Sequence, residues 1–360
     1  MGIVRTAESR RAELEEFHRM LLQTVGLNGR SSGKKVSDDG PLHEVEGGER
    51  LVCVTSGVSY LGFAIVNRLL SRGYSVRLAL ENEDDLEKLR EMEMFGERGH
   101  HRVSAVMVKL TELESLCEAF DGCRGVFHTS CFADPSGISG YTKWMAEMEH
   151  RASQTVIEAC ARTPSVTKCV FTSSLLACIW RSDPVVDLPP ILDESCWSDE
   201  SFCRQKKLWF ALGKTMAEKG AWNVARDRDV QLATICPALI TGPEFYERNS
   251  TPSIAYLKGA QEMYIRGLLA TVDVSSVARA HICVYEETGS GASGRYICFD
   301  RVIDRDEEAA ELGHQMRMPD LIGGDITADV PVRFELCNRK LSRLVLRRLQ
   351  CSEDADSGLC

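Results

Sequence analysis

Two stretches of this 360-residue chain carry side chains suited to holding and polarising a carbonyl group. The first closes an apolar run, Val170-Phe171-Thr172-Ser173-Ser174. A serine just beyond the carboxyl end of a strand can donate a hydrogen bond to a carbonyl oxygen and stabilise charge as hydride arrives. The second stretch, about forty residues on, is Trp209-Phe210-Ala211-Leu212-Gly213-Lys214-Thr215-Met216-Ala217-Glu218-Lys219. Lys214 follows Phe210 by one helical turn, so both project from one face.

A third stretch, Leu51 to Leu80, could hold a cofactor. It opens with a short apolar run, Leu51-Val52-Cys53-Val54, which suits a strand buried on both faces. A turn of small residues follows, Thr55-Ser56-Gly57-Val58-Ser59. A helical stripe comes next, with Leu61, Ile65, Leu69 and Leu70 on one face, and Gly73 stops it. A β-rich run from Tyr74 to Leu80 completes a βαβ unit. The helix N-terminus in such a unit faces the turn with free N–H groups and partial positive charge, and can hold a pyrophosphate. Gly57 and Gly62 supply two of the glycines a dinucleotide loop uses. Ser56 and Ser59 stand where two more are expected; serine is small, and its hydroxyl can bond phosphate. The other reading of the turn is an unliganded βαβ connection.

Glu81 ends the second strand. An acidic side chain there bonds both hydroxyls of an adenosine ribose and repels a 2′-phosphate, which favours NAD over NADP. Arg77 and Lys88 lie close enough in sequence to soften that repulsion. A solvated loop glutamate is the alternative.

Positioning these groups requires a sheet. Helical patterns at Glu83–Met94, Thr111–Phe120 (Thr111 as N-cap), 140–161 and 202–225 alternate with strands at Val103–Val108, Gly125–His128, Lys168–Thr172 and Val230–Cys236. Such alternation means an α/β fold of Rossmann type, a doubly wound parallel sheet with helices on both faces. From about Gly242 the alternation weakens. That part holds a helix at Asp273–Glu287, a strand at Arg295–Phe299 and a basic helix at Arg339–Arg348, and is expected to be a smaller, substrate-binding part. The expected divisions are an accessory helix and flexible linker at 1–50, the dinucleotide-binding domain at 51–240, the substrate-binding part at 241–350 and a disordered tail at 351–360. In the first of these, Leu14, Phe17, Leu21 and Val25 share one helical face that Gly26 would stop. The start, Met1-Gly2-Ile3-Val4-Arg5-Thr6, also matches the loose myristoylation pattern.

Composition narrows the function classes. Hydrophobic residues make up 44% of the chain, enough for a full core. The net charge is −10 without a long basic block, which argues against nucleic acid as a partner. No run of apolar residues is long enough to predict a membrane span, and the N-terminus lacks the apolar core of a signal peptide. The 15 cysteines are scattered, with no CxxC pair and no Cys/His cluster at metal spacing, so no metal is expected. Cys53, Cys169, Cys236 and Cys283 sit in apolar runs as small core residues of a protein in a reducing, cytoplasmic setting. Cys196 and Cys203 bracket an acidic segment and could pair under oxidation.

In order along the chain, VCVTSGVSYLGFAIVNRLLSRGYSVR, FDGCRGVFHTS, KCVFTSS, DESCWSDESFCR, LGKTMAEKGAW, CPALITGP and GRYIC resemble a known family. It is the extended short-chain dehydrogenase/reductases of the plant dihydroflavonol reductase and cinnamoyl-CoA reductase group, with the cinnamoyl-CoA reductase-like branch the most similar. The resemblance covers about Leu51 to Asp304. It implies an NAD(P)-dependent oxidoreductase that moves hydride between nicotinamide C4 and a carbonyl or thioester carbon of a phenylpropanoid-like small molecule; monomer and homodimer both stay open. By position, Thr55, Ser56, Gly57, Ser59, Tyr60, Leu61 and Gly62 would hold the pyrophosphate. Thr129 and Ser130 would contact the cofactor after the fourth strand, and Pro237 would lie near the nicotinamide. The family leans to NADP, against Glu81.

The family's catalytic set is a serine followed by Tyr-x-x-x-Lys. Ser174 takes the serine's place and Lys214 the lysine's. The tyrosine's place holds Phe210, which has no titratable hydroxyl and cannot act as general acid or base. Tyr141, in the loop after the fourth strand, is a conceivable substitute donor. Trp180 and Arg181, beyond Ser174, would edge the substrate pocket. The alternative to an oxidoreductase is a catalytically weak or inactive dinucleotide-binding protein that acts through partners, or a scaffold that has lost nucleotide binding.

Overall fold

The computed structural model describes residues 50–91, 102–129, 140–182, 190–289, 292–322 and 332–356. The accessory helix and linker expected before Arg50, and also Ser130, lie outside these residues.

In chain order the elements begin with β1 (Leu51–Thr55), α1 (Tyr60–Ser71), β2 (Ser75–Leu80), α2 (Glu83–Glu91), β3 (Val103–Met107), α3 (Leu113–Phe120) and β4 (Gly125–His128). Next come α4 (Lys143–Arg162), β5 (Lys168–Thr172), α5 (Leu176–Ile179), β6 (Ile191–Leu192), α6 (Glu200–Gln205), α7 (Trp209–Arg228) and β7 (Gln231–Pro237). They are followed by β8 (Leu239–Thr241), α8 (Phe245–Tyr256), α9 (Ala260–Ile265), β9 (Ala270–Asp273) and α10 (Val274–Glu287). The last are β10 (Gly294–Cys298), β11 (Arg301–Val302), α11 (Asp306–Gln315), β12 (Glu335–Leu336) and α12 (Arg339–Asp356).

Seven strands pair in parallel in the order β10-β7-β5-β4-β1-β2-β3. The chain winds outward from β1 through β2 to β3, and from β4 the other way. The order therefore reverses between β1 and β4, which opens a crevice beyond their carboxyl ends. Successive strand side chains point to opposite faces. Val52 and Val54 join Ile65 and Leu69 of α1 and Val277 of α10 on one face. Cys53 joins Val156 and Ile157 of α4 and Ala217 and Ala221 of α7 on the other. This is the doubly wound α/β architecture that the alternating pattern predicts.

Four expectations are corrected in detail. β10 pairs with β7, so the sheet takes its edge strand from beyond residue 240 and the division drawn there would split the sheet. The tail expected at 351–360 is helical as far as Asp356, because α12 continues through it. α3 starts at Leu113 with Glu112, not Thr111, at the cap and no side-chain cap bond. The helix expected at 202–225 is two, α6 and α7, broken where Lys207 takes a left-handed φ of 55°. That break starts α7 at Trp209, so Phe210 and Lys214 fall in its first turns, at the crevice end.

α7 lies very close to α4. A Cβ on Gly213 would come within 2.5 Å of the Tyr141 hydroxyl and 3.0 Å of the Ala146 Cα; one on Gly220 would meet the His150 ring at 2.7 Å. Cross-helix bonds fix the register. The Ser153 hydroxyl lies 3.0 Å from the Ala217 carbonyl, and His150 Nδ1 donates to the Met216 carbonyl at 2.8 Å. Among the described residues no helix is long and apolar enough to cross a membrane, and no group of His, Cys, Asp and Glu could hold a metal ion. Cys196 and Cys203 are both free.

Candidate active site

The turn between β1 and α1 is built by its small residues. Ser56 takes a left-handed φ of 50°, a conformation glycine adopts at less cost. Its backbone N–H bonds the Ala79 carbonyl at 3.2 Å, and its hydroxyl donates to Glu81 at 3.2 Å. Gly62 is sterically required: a Cβ there would lie 2.2 Å from the Ser56 carbonyl oxygen. Gly57 is less confined, because a Cβ there would meet only the tip of the Leu78 side chain, at 2.5 Å. Ser59 is the N-cap of α1, its hydroxyl accepting the Gly62 N–H at 3.1 Å. The cap satisfies one first-turn donor, and helix geometry leaves the others without intrahelical partners.

Across the crevice, Thr129 follows β4. Its N–H bonds the Thr55 hydroxyl oxygen at 3.1 Å, and its own hydroxyl donates to the Thr55 carbonyl. The Thr55 proton is thereby directed to His128 Nδ1, 3.0 Å away. Burial, reinforced by the nearby Lys214 charge, pushes the His128 pKa down to about 3. Under β5, His281 Nδ1 donates to the Val277 carbonyl at 2.8 Å, so its Nε2 accepts the Thr172 hydroxyl, also at 2.8 Å. Burial lowers its pKa to about 4, although the bond to Val277 opposes that shift.

Both imidazoles are neutral in the fold, whereas in the unfolded chain they charge near pH 6.5. The stability they supply is therefore complete above pH 6.5 and is lost as pH falls from there towards 4. Each should cost about 1.4 kcal/mol per pH unit within that window. Denaturant midpoints taken between pH 7 and pH 5 should fall accordingly, and His281→Asn should roughly halve the slope. A flat profile would mean that these histidines are not held neutral.

Beyond β5, the Ser174 hydroxyl oxygen accepts the Leu176 N–H at 3.2 Å, which leaves its proton to donate. The strand end is pinned to β7, with Ser173 N bonding the Ile235 carbonyl at 2.7 Å and Leu175 N the Pro237 carbonyl at 2.8 Å. On α7, Lys214 lies one turn after Phe210 with its Nζ 5.7 Å from that ring. Its ammonium pairs with Glu149 of α4 at 2.5 Å, both side chains at most 5% exposed. The other Glu149 oxygen accepts the Tyr141 hydroxyl. The Tyr141 ring meets Phe210 edge-on at 5.0 Å between centroids.

One cleft gathers Ser56, Ser59, Leu61, Thr129, Ser174, Phe210, Lys214 and Pro237. The remaining predicted residues lie behind or beside it. Thr55 supports Thr129 from below, Gly57 and Gly62 pack the back of the turn, and Glu81 reaches the cleft through Ser56. Tyr60 turns away, donating to the Pro243 carbonyl at 3.0 Å, and burial pushes its phenol up to about 12. Trp180 and Arg181 are not among the cleft's described lining residues. Trp180 stacks on Phe202, and Arg181 lies over Phe334. Tyr141 does not line the cleft either, and its proton is already committed to Glu149.

Residues 53–288, well over half the chain, match the 3-beta hydroxysteroid dehydrogenase/isomerase family. The chain belongs to this family. It is 37% identical over 262 residues to cinnamoyl-CoA reductase 1 of Petunia hybrida, spanning 71% of this chain and 74% of that protein. It is 31% identical over 255 residues to dihydroflavonol 4-reductase of Callistephus chinensis, spanning 69% and 68%. In structure it resembles vestitone reductase from alfalfa (Medicago sativa), with a TM-score of 0.59, 25% identity, and coverage of 82% of this chain and 91% of that one. The NADPH complex of yeast methylglyoxal/isovaleraldehyde reductase Gre2 superposes with a TM-score of 0.62 over 82% of this chain and 92% of that one, and at 18% identity speaks for the fold alone.

Glu149 is the residue of this family member that motif reading overlooked. Its signal is helical spacing: Met145, Glu149, Ala152 and Val156 form the buried stripe of α4, so a carboxylate stands where an apolar residue belongs. The cleft wall made by Asn249, Pro252, Ser253 and Tyr256 was also overlooked. α8 has Pro252 inside it and a non-helical Asn249, so it shows little periodicity to read.

Proposed function

We propose that this family member is an NAD(P)-dependent reductase that directs hydride to a carbonyl or thioester carbon of a phenylpropanoid-like substrate. The observation that carries this reading is the cleft at the β1/β4 crevice. It is lined at once by the loop serines Ser56 and Ser59, by Thr129 and Pro237, and by Ser174 and Lys214. The similarity to cinnamoyl-CoA reductase 1 over 71% of the chain supports the substrate class.

The residues present fit a dinucleotide. The capped N-terminus of α1 faces the crevice with first-turn donors for a pyrophosphate. Gly62 keeps the turn tight where a Cβ would collide with the Ser56 backbone. When bound, the dinucleotide supplies the hydride. Lys214, held by Glu149, would bond the nicotinamide ribose, and Pro237, the last residue of β7, would lie near the nicotinamide. Ser174 keeps its proton for the substrate oxygen. Phe210 has no proton to give, so turnover is slow by the loss of a positioned acid, about 10²–10⁴-fold.

NAD is the cofactor we favour. Glu81 stands at the end of β2 beside Ser56, and the neighbouring α2 begins Glu83-Asp84-Asp85. Of the two nearby cations, one is drawn to backbone carbonyls and the other to a second carboxylate. Arg77 donates to the Ala119 and Asp121 carbonyls, and Lys88 pairs with Asp85 at 3.6 Å. Thermal unfolding with NAD, NADH, NADP and NADPH, each well above its Kd, tests the proposal. A rise of a few degrees is expected with the NAD pair and a smaller one with the NADP pair. No rise with any of the four, together with no turnover of cinnamaldehyde or cinnamoyl-CoA, overturns it.

A further inference from the structure

The cleft is lined by a second side chain that carries a hydroxyl. Tyr256, the last residue of α8, is 4% exposed and lines the cleft together with Ser174, Phe210 and Lys214. Its hydroxyl is buried, its oxygen lies near the Leu239 backbone N–H, and its proton has no acceptor among the described residues. Several other buried side-chain polar atoms lack a partner, but Tyr256 alone of that group lines this cleft. Burial raises its pKa well above the usual phenol range, and the nearby Leu239 backbone N–H only tempers that rise. The phenol therefore keeps its proton at neutral pH and can act only as a donor or a neutral acceptor.

Folded proteins seldom leave such a donor unpaired, and in a cleft a bound ligand can supply its acceptor. Its surroundings define that ligand. Leu239, Ile240, Pro252 and Phe210 make the walls apolar, while Ser174 presents its proton in the same cleft. A flat, mainly apolar molecule carrying one acceptor oxygen satisfies both hydroxyls. We propose that the Tyr256 hydroxyl donates a hydrogen bond to the substrate's carbonyl oxygen alongside Ser174, supplying the contact that Phe210 cannot make. The inference deepens the reductase reading and rests on it. Tyr256 polarises the carbonyl and steadies negative charge on its oxygen as hydride arrives.

Tyr256→Phe in the full chain tests the assignment, because it removes one oxygen and keeps the ring. The unfolding temperature is expected to stay within about a degree of wild type, since the hydroxyl proton has no acceptor among the described residues and only the long contact to the Leu239 N–H is lost, and the shift on adding dinucleotide should equal that of wild type. kcat/KM for cinnamaldehyde should fall about 10²–10³-fold, the usual effect of deleting one such donor. Adding Phe210→Tyr to this variant should restore part of the loss. An unchanged kcat/KM overturns the assignment and leaves the reductase reading standing. A fall in kcat/KM matched by a lower unfolding temperature also overturns it, in favour of a structural hydroxyl. Wild-type protein that neither binds dinucleotide nor turns over substrate overturns the reading and the assignment together.

Discussion

Glu218→Ala is expected to cost about 3–5 kcal/mol of stability, enough to unfold a protein of ordinary margin. Glu218 is completely buried on α7 and faces the ends of β5 and β7. One of its oxygens accepts from Thr234 at 2.6 Å and from Arg295 Nε at 2.7 Å, and the other accepts from Ser173 at 2.6 Å. Arg295 in turn donates to the Glu194 and Cys196 carbonyls and lies 3.5 Å over the Trp197 ring. Burial works against the Arg295 charge, and the Glu218 carboxylate more than restores it. Removing the carboxylate would leave a buried guanidinium and two hydroxyls uncompensated, which is what makes breaking such a pair costly. Urea unfolding of wild type, Glu218→Ala and the double variant Glu218→Leu/Arg295→Met separates the terms. The double variant should recover most of the loss, because it removes both charges. A loss below about 1 kcal/mol in Glu218→Ala would mean that the pair is hydrated in solution. Ser173 directly precedes Ser174, so a surviving Glu218→Ala protein should also reduce substrate more slowly.

The parts legible in the sequence follow from local rules. β1, the turn and α1 could be read from an apolar run, small residues and a helical stripe, all within thirty residues. Ser174, Thr129 and Pro237 lie at strand ends, which the parallel sheet carries to one crevice whatever the side chains between them, whereas Lys214, on α7, is placed by the family resemblance. The parts not legible depend on which distant residues meet. Glu149 could be placed on a buried face by spacing alone, but spacing does not say that Lys214 lies opposite it. Arg77 and Lys88 are near Glu81 in sequence, yet their hydrogen bonds and ion pair turn them to other partners. The Arg295 strand was visible as β, and its place at the sheet edge was not, because strand pairing is non-local. α12 runs past residue 350 through a polar stretch, and a polar stretch with few apolar anchors reads as tail.

Phe210→Tyr is expected to raise kcat/KM by about 10²–10⁴-fold, the usual contribution of a positioned general acid. Phe210 lies one turn before Lys214, is 8% exposed and lines the cleft together with Ser174 and Lys214, so a hydroxyl on its ring would join those two proposed site residues. The Lys214 ammonium, already 5.7 Å from the ring, would lower the new phenol's pKa and favour proton transfer near neutrality. Tyr256 cannot take over that proton transfer, because burial pushes its pKa the other way. Glu149 works against the gain, since its carboxylate already neutralises Lys214 at 2.5 Å. Adding Glu149→Gln should therefore free the ammonium to act on the phenol and move the basic limb of the pH–rate profile to lower pH. The same Glu149→Gln change alone, with Phe210 in place, should not create that limb. Steady-state rates from pH 6 to pH 10 on the four proteins decide the matter. If Phe210→Tyr leaves the rate unchanged while dinucleotide still raises the unfolding temperature, position 210 does not face the reacting oxygen. Lys214 would then serve the cofactor alone.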